Sequence, residues 1–208
     1  MRLHIFEERY RLMMKHVIET NQTFGVNLIK SGSEAYGPLA VPYAIGCTAR
    51  VLEVEPLEDG RMNLTAVGDE RFHVLRMGAS RPYLMAFVES LPLETHHTLE
   101  VVRGARLLRV RLLRYLSLLA THTDPDSDSL DLPFDLSHLD LPDDPMMLIY
   151  LAASLLQIPA VEKQPLLEAN TAAELLQRVQ ILYRRELAVL PPLQKFSEDD
   201  ARNAAWVN

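Results

Sequence analysis

Apolar positions change their spacing partway along this chain, and the change divides it in two. Tyr10, Met13, Met14 and Val17 recur at three- and four-residue intervals, with Arg11, Lys15 and Glu19 off that stripe. This predicts an amphipathic helix from Glu7 to Thr20, closed by Asn21-Gln22. Phe24 to Ile29 is short, partly β-branched and followed by Ser31-Gly32-Ser33, which reads as a strand and turn. Residues 31–44, with Gly37-Pro38 and Pro42, read as an exposed loop. Between Ile45 and Glu55 the alternation returns but changes phase between Val51 and Leu52, as a β-bulge would produce. Asp59-Gly60 supplies hairpin turn chemistry. Met62–Val67, Arg71–Met77 and Tyr83–Leu91 follow as three further expected strands. Glycines at 46, 60, 68 and 78 among short strands favour a small, strongly curved barrel over an open sheet.

Beyond Pro92 the pattern becomes helical. Residues 98–121 carry Leu, Val, Ala or Tyr at most positions, at helix length. A proline-spaced acidic connector follows over 122–145. Asp143-Asp144-Pro145 is a helix start, with carboxylates at the amino end and proline where a missing N–H costs nothing. Met146 to Ile158 is nearly all apolar, so a central helix is expected there. Ala160 to Ala169 is shorter and contains Pro165. Thr171-Ala172-Ala173-Glu174 has capping-box spacing and opens a helix reaching about Leu190, where Pro191-Pro192 ends it. The expected division is therefore 1–93, β-rich with one helix, and 94–208, helical.

Charge sharpens this division without pointing to a reaction. The 208 residues carry a net charge of -7, with 28 acidic and 21 basic side chains. Asp124, Asp126, Asp128, Asp131, Asp135, Asp140, Asp143 and Asp144 all lie in the connector, which has no Lys or Arg; the other 20 acidic residues nearly balance the 21 basic ones. A generally basic face for phosphate backbones is not visible. The single Cys47 excludes an intrachain disulfide framework and suits a reducing cytoplasm. Met1-Arg2-Leu3-His4 opens no secretory leader, and no apolar run approaches the ~18–20 residues of a membrane span.

Several segments, taken in order, resemble the amino-terminal substrate-recognition domain of Lon proteases. They are Leu3-His4-Ile5-Phe6-Glu7-Glu8-Arg9-Tyr10-Arg11, Gly46-Cys47-Thr48-Ala49-Arg50-Val51 with Leu57-Glu58-Asp59-Gly60-Arg61, and Val67-Gly68-Asp69-Glu70-Arg71-Phe72-His73-Val74. Pro82-Tyr83-Leu84 with Val88-Glu89 continues the series, and Leu151 to Leu156, Lys163-Gln164, Leu166-Leu167-Glu168 and Thr171 to Leu187 complete it. The resemblance implies an α+β fold: a PUA-like pseudo-β-barrel followed by an α-helical bundle, in a stand-alone bacterial form lacking the ATPase and peptidase domains. Family members usually open with a further strand, and this chain starts inside the matched segment; either the true start lies upstream or an edge strand is lacking.

Candidate chemistry is sparse. Gly32 and Gly37 have phosphate-loop spacing, but Pro38-Leu39 stands where Gly-Lys chemistry would be needed. Lys15, Lys30, Lys163 and Lys195 have no context resembling a Ser–Lys peptidase dyad, and helix-surface lysines lack the desolvation a lysine base needs. Asp124-Pro125-Asp126-Ser127-Asp128 spaces its carboxylates like a calcium loop, yet Ser129 and Asp135 replace the required Gly and Glu. His96-His97 lacks accompanying metal ligands, and its side chains diverge on an extended segment. The reading is no catalytic residue, no metal and no cofactor. Arg103, Arg106, Arg111 and Arg114 fall within about 140° of a helical wheel, either as a solvated face or as a stripe that the acidic connector covers. Tyr36, Leu39 and Tyr43 are the candidate polypeptide-binding residues, weighed against simply pinning their loop to the barrel.

The expected function is non-enzymatic binding of unfolded or partly folded polypeptides in the cytoplasm, as an adaptor in protein quality control. A Lon-type ATPase protease is the partner the resemblance implies, with no membrane partner. The alternative is a nucleic-acid-binding PUA-like protein, disfavoured because the lone Trp206 gives no stacking platform.

Overall fold

The computed structural model describes residues 1–32, 40–78, 80–94, 98–122 and 140–190. It forms two compact units. The first takes in Met1–Glu94 and Ile158–Thr171; the second contains Thr95–Gln157 and the chain from Ala172 onward. Segment 158–171, expected with the helices, is thus grouped with the strands.

In the first unit the order is β1 (Arg2–Ile5), α1 (Glu8–Thr20), β2 (Phe24–Val26), β3 (Ile29–Ser31), β4 (Val41–Pro42), β5 (Ile45–Pro56), β6 (Met62–Gly78) and β7 (Met85–Ser90). One five-stranded sheet runs β1-β6-β5-β2, with β7 also paired to β6, while β3 and β4 form a separate pair. The fold is α+β, and this sheet is open: among the described residues its outer strands are not joined to one another. The two strands expected at 62–67 and 71–77 are one 17-residue strand. Gly68 does not interrupt it, because Ala49 pairs opposite it and the extra residue of the register shift lies within β6, where Asp69 and Glu70 together stand opposite Thr48. The bulge expected at Leu52 is present, as a register shift between Val51 and Glu53.

The helix α1 lies on this sheet through the predicted stripe. Met14 and Val17 are buried with Ile5, Phe24, Ala49, Leu64 and Ala66, and Tyr10, Met13 and Val51 pack around them. Asn21 ends α1 in the left-handed conformation at φ 50°, where its N–H reaches the Ile18 carbonyl; asparagine tolerates that geometry. Gly60, at φ 78°, closes the β5–β6 turn by donating to the Leu57 carbonyl.

α4 (Ala160–Leu167) is fastened to this unit by polar contacts. Buried Gln164 donates from Nε2 to the Ile45 carbonyl at 3.1 Å and to Glu168 Oε1 at 3.1 Å. Arg71 Nη1 donates to the Leu167 carbonyl at 2.7 Å and to the Ala169 carbonyl, satisfying acceptors at the helix end.

The second unit holds α2 (Leu99–His122), α3 (Pro145–Leu155) and α5 (Ala172–Val189). Val101, Leu108, Leu112, Leu148, Ile149, Ala152, Val179 and Tyr183 are almost completely buried among these helices. Gly104 lets α2 and α5 approach closely, since a Cβ there would stand 2.4 Å from Leu176 Cδ2. Tyr115 and Tyr183 meet edge to face at 5.3 Å. Tyr183 Oη donates to the Ala152 carbonyl at 2.9 Å, and Tyr115 Oη accepts from the Gln157 N–H at 3.0 Å. α3 is not wrapped on all sides as its composition suggested: Met147 and Tyr150 are exposed.

Candidate polypeptide-binding site

β7 pairs along the far half of β6, and beyond Val74, where pairing with β5 stops, the two strands form a two-stranded ribbon that displays apolar side chains. The register sets Phe72 opposite Ser90, Val74 opposite Val88, and Met77 opposite Ala86; a shift at Leu75 then sets Arg76 opposite Phe87. Side chains paired in register share a face. One face therefore continues from buried Phe72 through Val74, Val88 and Met77. The other carries Phe87 beside Arg76, and Glu89 beside His73.

Phe87 is 61% exposed and Leu75, at the bulge, is 59% exposed. Met77, Leu84, Met85 and Val88 are exposed as well, and no residue of β7 is buried. β7 pairs only with β6, so its outer edge offers unpaired backbone donors and acceptors among the described residues. An open edge flanked by apolar side chains is the combination that accepts an added strand. Arg76 lies over the Phe87 ring at 4.3 Å from its centre, and His73 Nδ1 meets Glu89 Oε1 at 3.0 Å. Arg76 thus covers one face of the ring, and Phe87 stays 61% exposed.

Of the residues expected to bind, Tyr36 and Leu39 lie outside the described residues. Tyr43 is half-buried, and its backbone is tied down: its N–H donates to the Leu28 carbonyl at 2.8 Å and its carbonyl accepts from Asn27 Nδ2 at 2.9 Å. The strands of the ribbon are those expected at 71–77 and 83–91, but their exposed apolar surface is not among the expected sites, although its signal is in the sequence. The runs Val74-Leu75 and Leu84-Met85-Ala86-Phe87-Val88 lack strict alternation. A strand apolar on successive positions needs cover on both faces, and β7 is exposed at every position.

The calcium-like aspartates from Asp124 to Asp135 and the His96-His97 pair also lie outside the described residues. Lys163 departs from expectation, since partial burial on α4 pushes its pKa down where a solvated helix-surface lysine was expected. The arginine expectation changes too. Arg109, off the predicted stripe, holds the end of the connector: it donates to the Leu141 carbonyl at 3.3 Å, to the Pro142 carbonyl and to Asp143 Oδ1 at 3.3 Å.

Among the described residues, this α+β chain thus presents a free, apolar strand edge of the kind that takes up an added strand. Residues 1–185 match the family described as the ATP-dependent protease La (LON) substrate-binding domain, and the chain belongs to that family. It is 24% identical over 197 residues to Lon protease 2 of Syntrophobacter fumaroxidans; the match takes in 94% of this chain and 24% of that protein. The chain thus spans about a quarter of that relative. Its fold is similar to that of a Lon N-terminal domain protein from Xanthomonas campestris, with a TM-score of 0.58 at 23% identity, covering 92% of this chain and 89% of the other. It is also similar to the N-terminal domain of a Mycobacterium avium complex Lon protease, with a TM-score of 0.60 at 17% identity and 91% coverage of both chains. Among the described residues no helix is long and apolar enough to cross a membrane.

Proposed function

We propose that this chain is a non-enzymatic module that holds extended, apolar segments of unfolded or partly folded polypeptides along the β6–β7 ribbon. The unpaired outer edge of β7, with Met85, Phe87 and Val88 exposed along it, is the observation that carries this reading. A client segment would add to that edge through backbone hydrogen bonds and set its side chains against Phe87 and Leu75. Membership of a substrate-binding family supports a polypeptide as the occupant. The likeness to Lon protease 2 supports a role as an adaptor beside a Lon-type ATPase protease. The single Cys47 supports a reducing, cytoplasmic setting.

The test is fluorescence anisotropy with a labelled apolar peptide that has no charged side chains, titrated with the full chain. Burying an aromatic ring is worth about 1.5–3 kcal/mol, so Phe87→Ser is expected to weaken binding by about 10- to 100-fold. Leu52→Ser is the control, because Leu52 is similarly exposed but lies on β5, outside the ribbon. Equal effects of the two substitutions would refute the ribbon. Displacement of the peptide by single-stranded RNA at equal concentration would refute the polypeptide reading.

A further inference from the structure

The helical unit carries a second concave feature, chemically unlike the ribbon. A groove of about 350 Å³ is lined by Val110, Arg111, Arg114, Arg184, Leu187 and Ala188, from α2 and α5. Three guanidinium groups line it together. Among the described residues no carboxylate pairs with Arg111, Arg114 or Arg184, whereas Arg109, Arg178 and Arg185 of the same unit each have one. Arg184 donates from Nε to the Gln180 carbonyl at 3.4 Å, which leaves its terminal nitrogens uncommitted in that bond. Arg111 Nη1 is buried and has no hydrogen-bond partner. A charged donor removed from water and left unpaired is costly, and an anion in the groove would remove that cost. Helix dipoles do not account for these arginines, because the last turn of α5 holds no basic residue and Arg111 lies eleven residues before the end of α2.

We propose that this groove binds an acidic peptide. A carboxylate sits in the guanidinium fork of Arg111, flanked by Arg114 and Arg184, and an adjoining apolar side chain of the same peptide rests on Val110 and Leu187. The lining favours a peptide over a free inorganic anion: half of it is apolar, which an inorganic ion leaves unused, while the guanidinium fork takes a carboxylate in two-point contact. The site is independent of the ribbon, because it lies wholly in the helical unit and selects for charge.

The experiment titrates the full chain into a labelled nine-residue peptide of alternating Asp and Leu, beside the same peptide with Asn in place of Asp. Binding of the acidic peptide is expected, with a Kd raised about tenfold or more by Arg111→Gln or Arg114→Gln and unchanged by Arg103→Gln, an exposed arginine outside the groove. Circular dichroism melts of each variant verify that the fold is retained, and the exposed Arg114 gives a reading should Arg111→Gln disturb it. The apolar peptide used for the ribbon is expected to bind these arginine variants normally, so failure of one site is distinguishable from failure of the other. Equal binding of the Asn peptide would overturn the proposal, as would an unchanged Kd in both groove variants. Complete displacement by equimolar inorganic phosphate would make the groove a simple anion site. Binding that emerges only after Asp124, Asp126, Asp128, Asp131 and Asp135 are replaced by Asn would assign the groove to this chain's own connector. Either result would also overturn the proposal.

Discussion

The two units differ in how much of their apolar surface they cover: the helical unit exposes single side chains such as Val110 and Met147 around a sealed centre, and the strand unit leaves a whole strand uncovered. In the helical unit three helices turn their stripes inward, and Leu108, Leu112, Ile149, Val179 and Tyr183 are sealed from water. In the strand unit α1 covers the sheet near β1, β5 and the first half of β6, but the β6–β7 ribbon has no third layer and leaves Leu75, Met77, Met85, Phe87 and Val88 outside. Composition does not explain this difference, because both regions are rich in the same residue types. Geometry does. Helices bury a stripe against one another, whereas a two-stranded ribbon has two faces and an edge to cover and cannot cover them itself. Side chains buried in the first case contribute to stability; those exposed in the second contribute little to stability and remain available for association.

The sharpest way to break this contrast is a pair of truncations. Leu112→Ala removes a side chain with no exposure and should cost about 2–5 kcal/mol in chemical denaturation of the helical unit. Phe87→Ala deletes a larger ring, yet its exposure predicts a change within about 0.5 kcal/mol, or a slight gain. If Phe87→Ala destabilised the protein as much as Leu112→Ala, the ribbon would be a covered structural element and its role as a docking edge would fail.

A smaller effect concerns how the helical core handles its polar atoms. Burial, first of all, raises the pKa of both Tyr115 and Tyr183 above the ordinary 10.0, and direct interaction with Tyr115 adds to the shift at Tyr183. A phenol with a raised folded-state pKa stabilises the fold fully below pH 10.0 and loses that contribution as pH climbs toward its folded value. The helical unit should therefore weaken in alkali, and the Tyr115→Phe/Tyr183→Phe double variant should weaken less steeply over the same range. At neutral pH the Tyr183→Phe change alone should cost about 1–3 kcal/mol, because the Ala152 carbonyl loses its buried donor. Parallel stability–pH curves for parent and double variant would show that these hydroxyls are not desolvated.

How much of this was legible in the sequence follows from the same contrast. Where one periodic stripe met one core, as with Met14 and Val17 on α1, the elements and the buried residues both followed from spacing. Turn chemistry at Asp59-Gly60 and the phase change at Leu52 were equally local and equally readable. Long-range pairing was not. Nothing local marks Gly68 as lying inside one continuous strand, because its place depends on β5 across the hairpin. The docking of Gln164 against the Ile45 carbonyl joins residues 119 apart and grouped α4 with the strands. The candidate ribbon was overlooked for a related reason. Val88 and Phe87 become conspicuous only once no element is seen to cover them.

The smallest predicted effect tests whether polar surface residues of the helical unit matter except where they complete backbone hydrogen bonds. Asp144 and Asp143 are adjacent, both exposed and both acidic, so a purely electrostatic view treats them alike. Their geometry differs. Asp144 precedes α3 in an extended conformation, and its carboxylate accepts the Met147 N–H at 2.8 Å, one of the donors a helix start leaves unsatisfied. Asp143 only approaches Arg109 at 3.3 Å with its side chain fully in solvent, where an ion pair adds almost nothing. Asp144→Ala should therefore destabilise the unit by about 1 kcal/mol, and Asp144→Asn, which keeps an acceptor, by much less. Asp143→Ala should be indistinguishable from the parent in the same urea titrations. If Asp143→Ala cost more than Asp144→Ala, the Arg109 contact at the end of the connector would outweigh the cap. The helical unit would then depend on its surface charges as well as on its sealed interior.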